Sequence, residues 1–138
     1  MNARPAPPPP SRWRGGSWVT PVVALAIYVA LAFLLFINTW VHPFTYAVGS
    51  PGDAPQFMWF LEWSAYALTH AHNPLFTTYL DYPAGVNMLW NCTVPLLAAV
   101  LTPVTLALGP VFSFNLLATL AVGLSAFTAF LFIRRYVA

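Results

Sequence analysis

Three carboxylates are available for chemistry in this sequence, those of Asp53, Glu62 and Asp81. Two of them lie in residues 52–63, a polar gap between two strongly apolar segments. A carboxylate that solvent reaches can accept a proton from a hydroxyl group, or hold a divalent cation beside a phosphate leaving group. We therefore expect the chemistry of this chain to centre on Asp53 and its neighbours.

Asp53 has two interpretations, and the sequence leaves both open. It stands where a helix should begin, and Gln56, three residues later, gives the spacing of a capping box. An Asp at the N-cap contributes about 1 kcal/mol to helix stability, which would explain the residue without catalysis. A catalytic role is the second interpretation, and one side chain can serve both.

The other polar residues give weaker signals. Glu62 is typical of a solvated helix face, and Asp81 is typical of a turn, although it can also contact a substrate. His70 and His72 would point apart on a helix, and no third ligand other than Asp81 is evident. The sequence therefore predicts no metal site among the histidines. It leaves the cofactor unknown, with a divalent cation as the one candidate.

Composition indicates a membrane protein. Hydrophobic residues make up 59% of the chain and charged residues 6%, far below the roughly 25% charged residues of soluble domains. Residues 15–52 and 82–133 carry no formal charge, which suits bilayer depth. All five basic residues are arginines near the two ends of the chain. No basic stripe is present, so we expect the lipid bilayer as a partner and no nucleic acid.

The first part of the chain is interpreted as a tail and a membrane anchor. Residues 1–16 are rich in Pro and Arg and are expected to be a disordered cytoplasmic tail. Residues 17–41 are predicted to form a transmembrane helix, with Pro21 tolerated in its first turn. A cleavable signal peptide is the rival interpretation, but residues 46–49 match a cleavage site poorly.

The rest of the chain is expected to cross an outer face and return. Residues 42–93 are predicted to be an extracytoplasmic loop with an aromatic surface helix at about 54–72 in the headgroup region. Residues 94–109 suit a short interfacial or re-entrant helix that Gly109-Pro110 closes. Residues 111–133 are long enough to span a bilayer, and residues 134–138 form the cytoplasmic end.

The predicted fold class is therefore an all-α membrane protein. It has two transmembrane helices and an extracytoplasmic loop that contains interfacial and re-entrant helices. The arginines at both ends favour a multi-pass protein of the plasma (inner) membrane with both termini in the cytoplasm.

This order of parts resembles the N-terminal end of GT-C-type glycosyltransferases, integral membrane enzymes that use polyprenyl-phosphate-linked sugars, and of related uncharacterised bacterial membrane proteins. The motifs that carry the resemblance are residues 52–53 with 56–60, 73–76, 82–87 and 95–97. The resemblance implies that Asp53 is the first-loop acid, either a catalytic base or a ligand of metal and substrate. Residues in or beside these motifs are the candidate substrate-binding residues: Gln56, Glu62, Asp81 and Asn87.

Two functions from different classes remain open. Such enzymes have many more spans, so the sequence is expected to be an N-terminal fragment, inactive alone, whose lipid-linked sugar donor binds on the extracytoplasmic side. The alternative is a small non-enzymatic membrane anchor or interaction subunit whose aromatic loop packs against lipid or a partner membrane protein.

Overall fold

The computed structural model describes residues 19–49 and 51–136, and this part of the chain is mostly helical. The predicted tail, residues 1–16, and the last two residues of the predicted cytoplasmic end lie outside the described residues. The elements in chain order are α1 (Val19–Leu35), α2 (Ile37–Val41), α3 (Ala54–Thr69), β1 (Phe76–Thr77), β2 (Val86–Asn87), a 3-10 turn (Met88–Trp90) and α4 (Pro95–Tyr136).

One helix of the described residues, α4, is long and apolar enough to cross a membrane. Most of the described residues lie in α-helices, so the mainly helical character predicted from the sequence is confirmed. The prediction of an all-α chain was wrong in one detail, because β1 and β2 form a two-residue antiparallel ladder that pairs Phe76 with Asn87. The described part of the predicted first span, residues 19–41, is not a single helix either. The helix is interrupted at Phe36, so α1 has 17 residues and α2 has five.

A sharp bend divides α4 into two arms, which we call the first arm (95–108) and the second arm (110–136). Gly109 has φ 86° and ψ 167°, a backbone region that is essentially restricted to glycine. Thr105 Oγ1 donates a hydrogen bond to Ser113 Oγ at 3.0 Å. Eight residues of straight helix would separate these side chains by about 12 Å, so the arms fold toward each other. The bend falls at the Gly109-Pro110 pair at which the sequence analysis ends the short helix.

The helix α1 packs closely on the second arm at Gly123. A Cβ atom built on Gly123 would lie 3.2 Å from the Cα atom of Val29 and 3.4 Å from the carbonyl oxygen of Tyr28. Such close backbone approach is the reason that small residues are common where helices pack in membranes. Even a Cβ atom at position 123 would require the backbone of α1 to shift by a few tenths of an ångström.

The segment α1–α2 and the second arm run in opposite directions. Tyr28 contacts Phe130 with ring centroids 6.1 Å apart. Farther along the chain, the indole Nε1 of Trp40 donates to Thr119 Oγ1 at 3.1 Å. The partner numbers fall as the chain advances, so the beginning of α1 lies at the same end of the pair as Arg134.

Asn115 fixes the loop that follows α2. Its side chain is fully buried on the second arm, and its amide nitrogen donates to the carbonyl oxygens of Pro43 at 3.0 Å and Tyr46 at 2.7 Å. Its amide oxygen accepts the backbone N–H of Val48 at 2.9 Å. Asn115 lies within residues 111–133, which the sequence predicts to be an apolar span without a structural role for this amide. The available signal was an amide side chain inside an apolar helix, which must find polar partners.

The helix α3 packs against both arms of α4. Leu61 is 1% exposed and lies in a cluster with Ala98 and Leu101 of the first arm and with Phe114 and Leu117 of the second. One face of α3 is therefore covered by protein. The side chains buried along α3 are those of Ala54, Phe60, Leu61, Trp63, Ser64, Ala65 and Ala67.

The end of α3 differs from the sequence prediction. The helix ends at Thr69, with His70 as its C-cap, whereas the prediction continued it to residue 72. The reason is that Ala71 takes a positive φ of 55°, which turns the chain out of the helix. The backbone N–H of His72 still bonds back to the carbonyl oxygen of Ala67 at 2.9 Å.

We predict that Asn115→Ala destabilises the protein by at least about 1 kcal/mol, because it leaves two carbonyl oxygens and one N–H without partners. The measurement is thermal unfolding of the purified protein in detergent. Asn38→Ala is the matched control, since Asn38 is an exposed helical Asn whose side chain makes no hydrogen bond with a described residue. Equal unfolding temperatures for both variants would contradict the role assigned to Asn115.

Candidate functional site

Asp53 occupies the N-cap position of α3, but its side chain does not cap the helix. Its backbone carbonyl accepts the N–H groups of Gln56 at 3.1 Å and Phe57 at 3.2 Å, whereas its carboxylate makes no capping hydrogen bond. The predicted capping box was therefore wrong. Two causes are visible: Asp53 has helical rather than extended backbone angles, φ −95° and ψ −27°, and Pro55 at the second helical position has no N–H to donate.

The carboxylate of Asp53 is consequently uncommitted. It is exposed, and it makes no hydrogen bond or ion pair with any described residue. Gln56, also exposed, lies three residues later and so on the same side of α3. These two side chains form a small polar patch at the beginning of the helix.

Glu62 does not join that patch. It lies nine residues after Asp53, which corresponds to about 13 Å along the helix and to the opposite side of it. A reaction that uses two carboxylates on one substrate atom is therefore not available to this pair. Glu62 instead lines a cleft on the outer face of α3.

We call this feature the aromatic cleft. It is an open depression of about 220 Å³. Helical spacing explains most of its wall, since residues 59, 62, 63 and 66 are separated by three, four and seven positions and share one face. The lining residues are Trp59, Glu62, Trp63, Tyr66 and Tyr79. The sequence predicts an aromatic surface helix here, but it does not reveal Tyr79, which follows Tyr66 by 13 residues and reaches the cleft from a loop.

The walls of the aromatic cleft are held by ring contacts and hydrogen bonds. Trp59 and Trp63 stack with an interplanar angle of 5° and centroids 6.1 Å apart. Trp63 is 7% exposed, and its Nε1 donates to the carbonyl oxygen of Pro74 at 3.1 Å. Tyr79 packs on Trp63 with centroids 5.5 Å apart. The cleft is therefore built before any ligand arrives.

Tyr66 is the titratable group that this arrangement perturbs. The hydrogen bond with the Tyr79 hydroxyl, 3.5 Å away, raises the pKa of Tyr66 above its ordinary value of 10.0. Repulsion from Tyr79 and desolvation raise that pKa further. Tyr66 therefore remains a neutral phenol at physiological pH.

The two histidines contact Tyr66 instead of forming a metal site. The ring of His70 stacks on Tyr66 with centroids 4.2 Å apart, and that of His72 lies 5.6 Å from it. Within residues 19–49 and 51–136, no group of three or more His, Cys, Asp or Glu side chains is placed to hold a metal ion.

The remaining candidate substrate-binding residues have structural contacts of their own. Asp81 lies in the connection between β1 and β2 with a φ of 53°, and its carbonyl oxygen accepts the N–H of Gly85 at 2.8 Å. Asn87 caps the 3-10 turn by accepting the N–H of Leu89 at 2.9 Å. No hydrogen bond in the described part of the chain links either side chain to Asp53.

We expect Tyr79→Phe to lower the pKa of Tyr66, because it removes the hydroxyl whose hydrogen bond favours the neutral phenol. Tyrosinate at position 66 should then form at a lower pH. The measurement is alkaline absorbance titration, with the Tyr66 signal taken as the difference from Tyr66→Phe in each background. Tyr82→Phe, outside the cleft, is the control. An unchanged Tyr66 titration in Tyr79→Phe would contradict the assignment.

Comparison with known proteins identifies no relative of this chain. No protein-family description, no curated protein and no solved structure matches this chain. Asp53 and the aromatic cleft, together with the helices that hold them, are therefore the features from which a function can be inferred.

Proposed function

We propose that this chain is the donor-side, N-terminal part of a membrane glycosyltransferase that uses a sugar carried on a polyprenyl phosphate. The observation that carries the proposal is the exposed and uncommitted carboxylate of Asp53 at the beginning of α3. A carboxylate that neither caps its helix nor pairs with a cation remains available to take a proton.

The packing of the helices supports a two-span topology. The segment α1–α2 covers residues 19–41, and about 20 residues suffice to cross a bilayer. It runs antiparallel to the second arm, so the beginning of α1 and the end of the second arm lie on the same side. Arg134 and Arg135 are on that side, which favours the cytoplasm.

Asp53 lies toward the other end of the pair. Phe57, one turn beyond Asp53, stacks on Phe114 with centroids 6.3 Å apart. Phe114 precedes Arg134 by 20 residues, or about 30 Å of helix, which is the thickness of the hydrocarbon core. In this topology Asp53 is at the extracytoplasmic surface, where α3 and the short first arm are interfacial and re-entrant helices.

The proposed reaction follows from this position. The oxygen of an acceptor hydroxyl forms a bond to the anomeric carbon of the sugar, and the bond from that carbon to the donor phosphate oxygen breaks. Asp53 accepts the hydroxyl proton, and the polyprenyl phosphate leaves as the anion. The described residues offer a divalent cation one free carboxylate at this place, so no step is assigned to a metal.

The alternative function, a non-enzymatic anchor or interaction subunit, is consistent with the exposed apolar surface of the helices. Apolar side chains on α1 and α4 remain exposed and would face lipid or another membrane protein. Among them are Val22, Ile27, Leu31, Leu34, Val100, Leu106 and Phe132. This surface is needed by both functions, so the Asp53 chemistry decides between them.

The topology predicts how Cys92 reacts in intact cells. Cys92 is exposed and lies on the proposed outer side, so a membrane-impermeant maleimide should label it without permeabilisation. In a Cys92→Ser background, Tyr136→Cys should be labelled only after the cells are permeabilised. Labelling of Tyr136→Cys in intact cells would place the end of the second arm outside and contradict the two-span arrangement.

Asp53→Asn is expected to abolish sugar transfer, because the amide cannot accept the proton. The assay measures transfer from a lipid-linked sugar in membranes that contain the protein with all the spans its gene encodes. Since the carboxylate makes no capping bond, Asp53→Asn and Asp53→Ala should both leave stability within about 0.5 kcal/mol of the wild type.

The fold control for this assay is Asn38→Ala, which should transfer sugar at the wild-type rate. Wild-type transfer by Asp53→Asn would show that Asp53 is not the base. Absence of transfer by the wild type with every span present would favour the anchor or interaction subunit.

A further inference from the structure

We propose that the aromatic cleft is a binding site for a quaternary ammonium group, the chemistry carried by choline and by choline-bearing lipid headgroups. The site is separate from Asp53, on the opposite side of α3, and this inference does not depend on the proposed sugar transfer. Four aromatic rings and one carboxylate line it: Trp59, Trp63, Tyr66, Tyr79 and Glu62.

The charge distribution selects for a cation. The faces of aromatic rings carry partial negative charge and attract cations, with Trp the strongest of the side chains. Glu62 adds a full negative charge, and no described residue forms a hydrogen bond or ion pair with its carboxylate. An anion would be repelled, and a neutral ligand would leave this carboxylate uncompensated.

The type of cation follows from the surroundings. A small, strongly hydrated cation needs several oxygen ligands, and the cleft supplies one carboxylate and two phenol hydroxyls that already contact each other. A quaternary ammonium group has an apolar surface that tolerates the loss of water on aromatic faces. The cleft volume of about 220 Å³ is below the range of drug-sized ligands and suits a single headgroup.

The cleft is pre-formed, which reduces the cost of binding. Trp63 is fixed by its stack on Trp59 and by the hydrogen bond to Pro74. Tyr79 is exposed and packs on Trp63 and Tyr66 with ring centroids 5.5 and 6.1 Å apart. Ligand binding therefore does not have to order these rings.

The test is a titration with choline chloride of the purified protein in a maltoside detergent, which lacks choline, followed by tryptophan fluorescence. Saturable quenching is expected with choline, and none with potassium chloride at the same ionic strength. Glu62→Gln and Tyr79→Leu keep both tryptophans and should each weaken choline binding about fivefold or more. Tyr82→Leu is the matched control, an exposed loop tyrosine outside the cleft, and should bind like the wild type.

A second experiment, in lipid nanodiscs, distinguishes the source of the ammonium group. If the lipid headgroup is the ligand, nanodiscs of phosphatidylcholine should suppress the response to free choline, while phosphatidylglycerol nanodiscs should not. Equal responses in both would identify a soluble ligand. The proposal is overturned if choline and potassium quench alike, if Glu62→Gln binds choline as the wild type does, or if a neutral sugar saturates the signal and choline does not.

Discussion

The rest of the helix arrangement depends on the hydrogen bonds of the buried Asn115 side chain. An amide that is removed from water without partners costs several kcal/mol, so the second arm can bury Asn115 only where three backbone groups meet it. The loop after α2 supplies these groups at residues 43, 46 and 48. This requirement fixes where the chain leaves the helix pair and hence where α3 begins.

The position of α3 then follows from the bend at Gly109. Because the first arm folds toward the second, the two arms present a common apolar surface, and the cluster that contains Leu61 includes side chains of both. Because α4 covers that side of α3, the side that carries Trp59 and Glu62 faces away from α4. The bend, the packing of Leu61 and the exposure of the aromatic cleft are therefore consequences of one local backbone geometry.

The sequence predicts the elements of this fold better than their contacts. Uncharged apolar runs indicate the helices, and Gly109-Pro110 marks the break between the two arms, because these signals are local. The missing capping bond of Asp53 depends partly on Pro55, which the sequence does show, and partly on backbone angles that residue types do not specify. The contacts of Asn115 and Tyr79 join residues far apart in the chain, so no periodicity reveals them. The α3 aromatics at helical spacing predict a shared face, whereas the cleft requires Tyr79 from outside the helix.

The separation between Asn115 and its partners has a consequence for the order of synthesis. Val48 leaves the ribosome 67 residues before Asn115, which is roughly 3 to 13 s at ordinary translation rates. During that interval the carbonyl oxygens of Pro43 and Tyr46 have no amide to bind, so this loop must stay in contact with water. The contacts that join the loop after α2 to the second arm can therefore form only after the second arm is made.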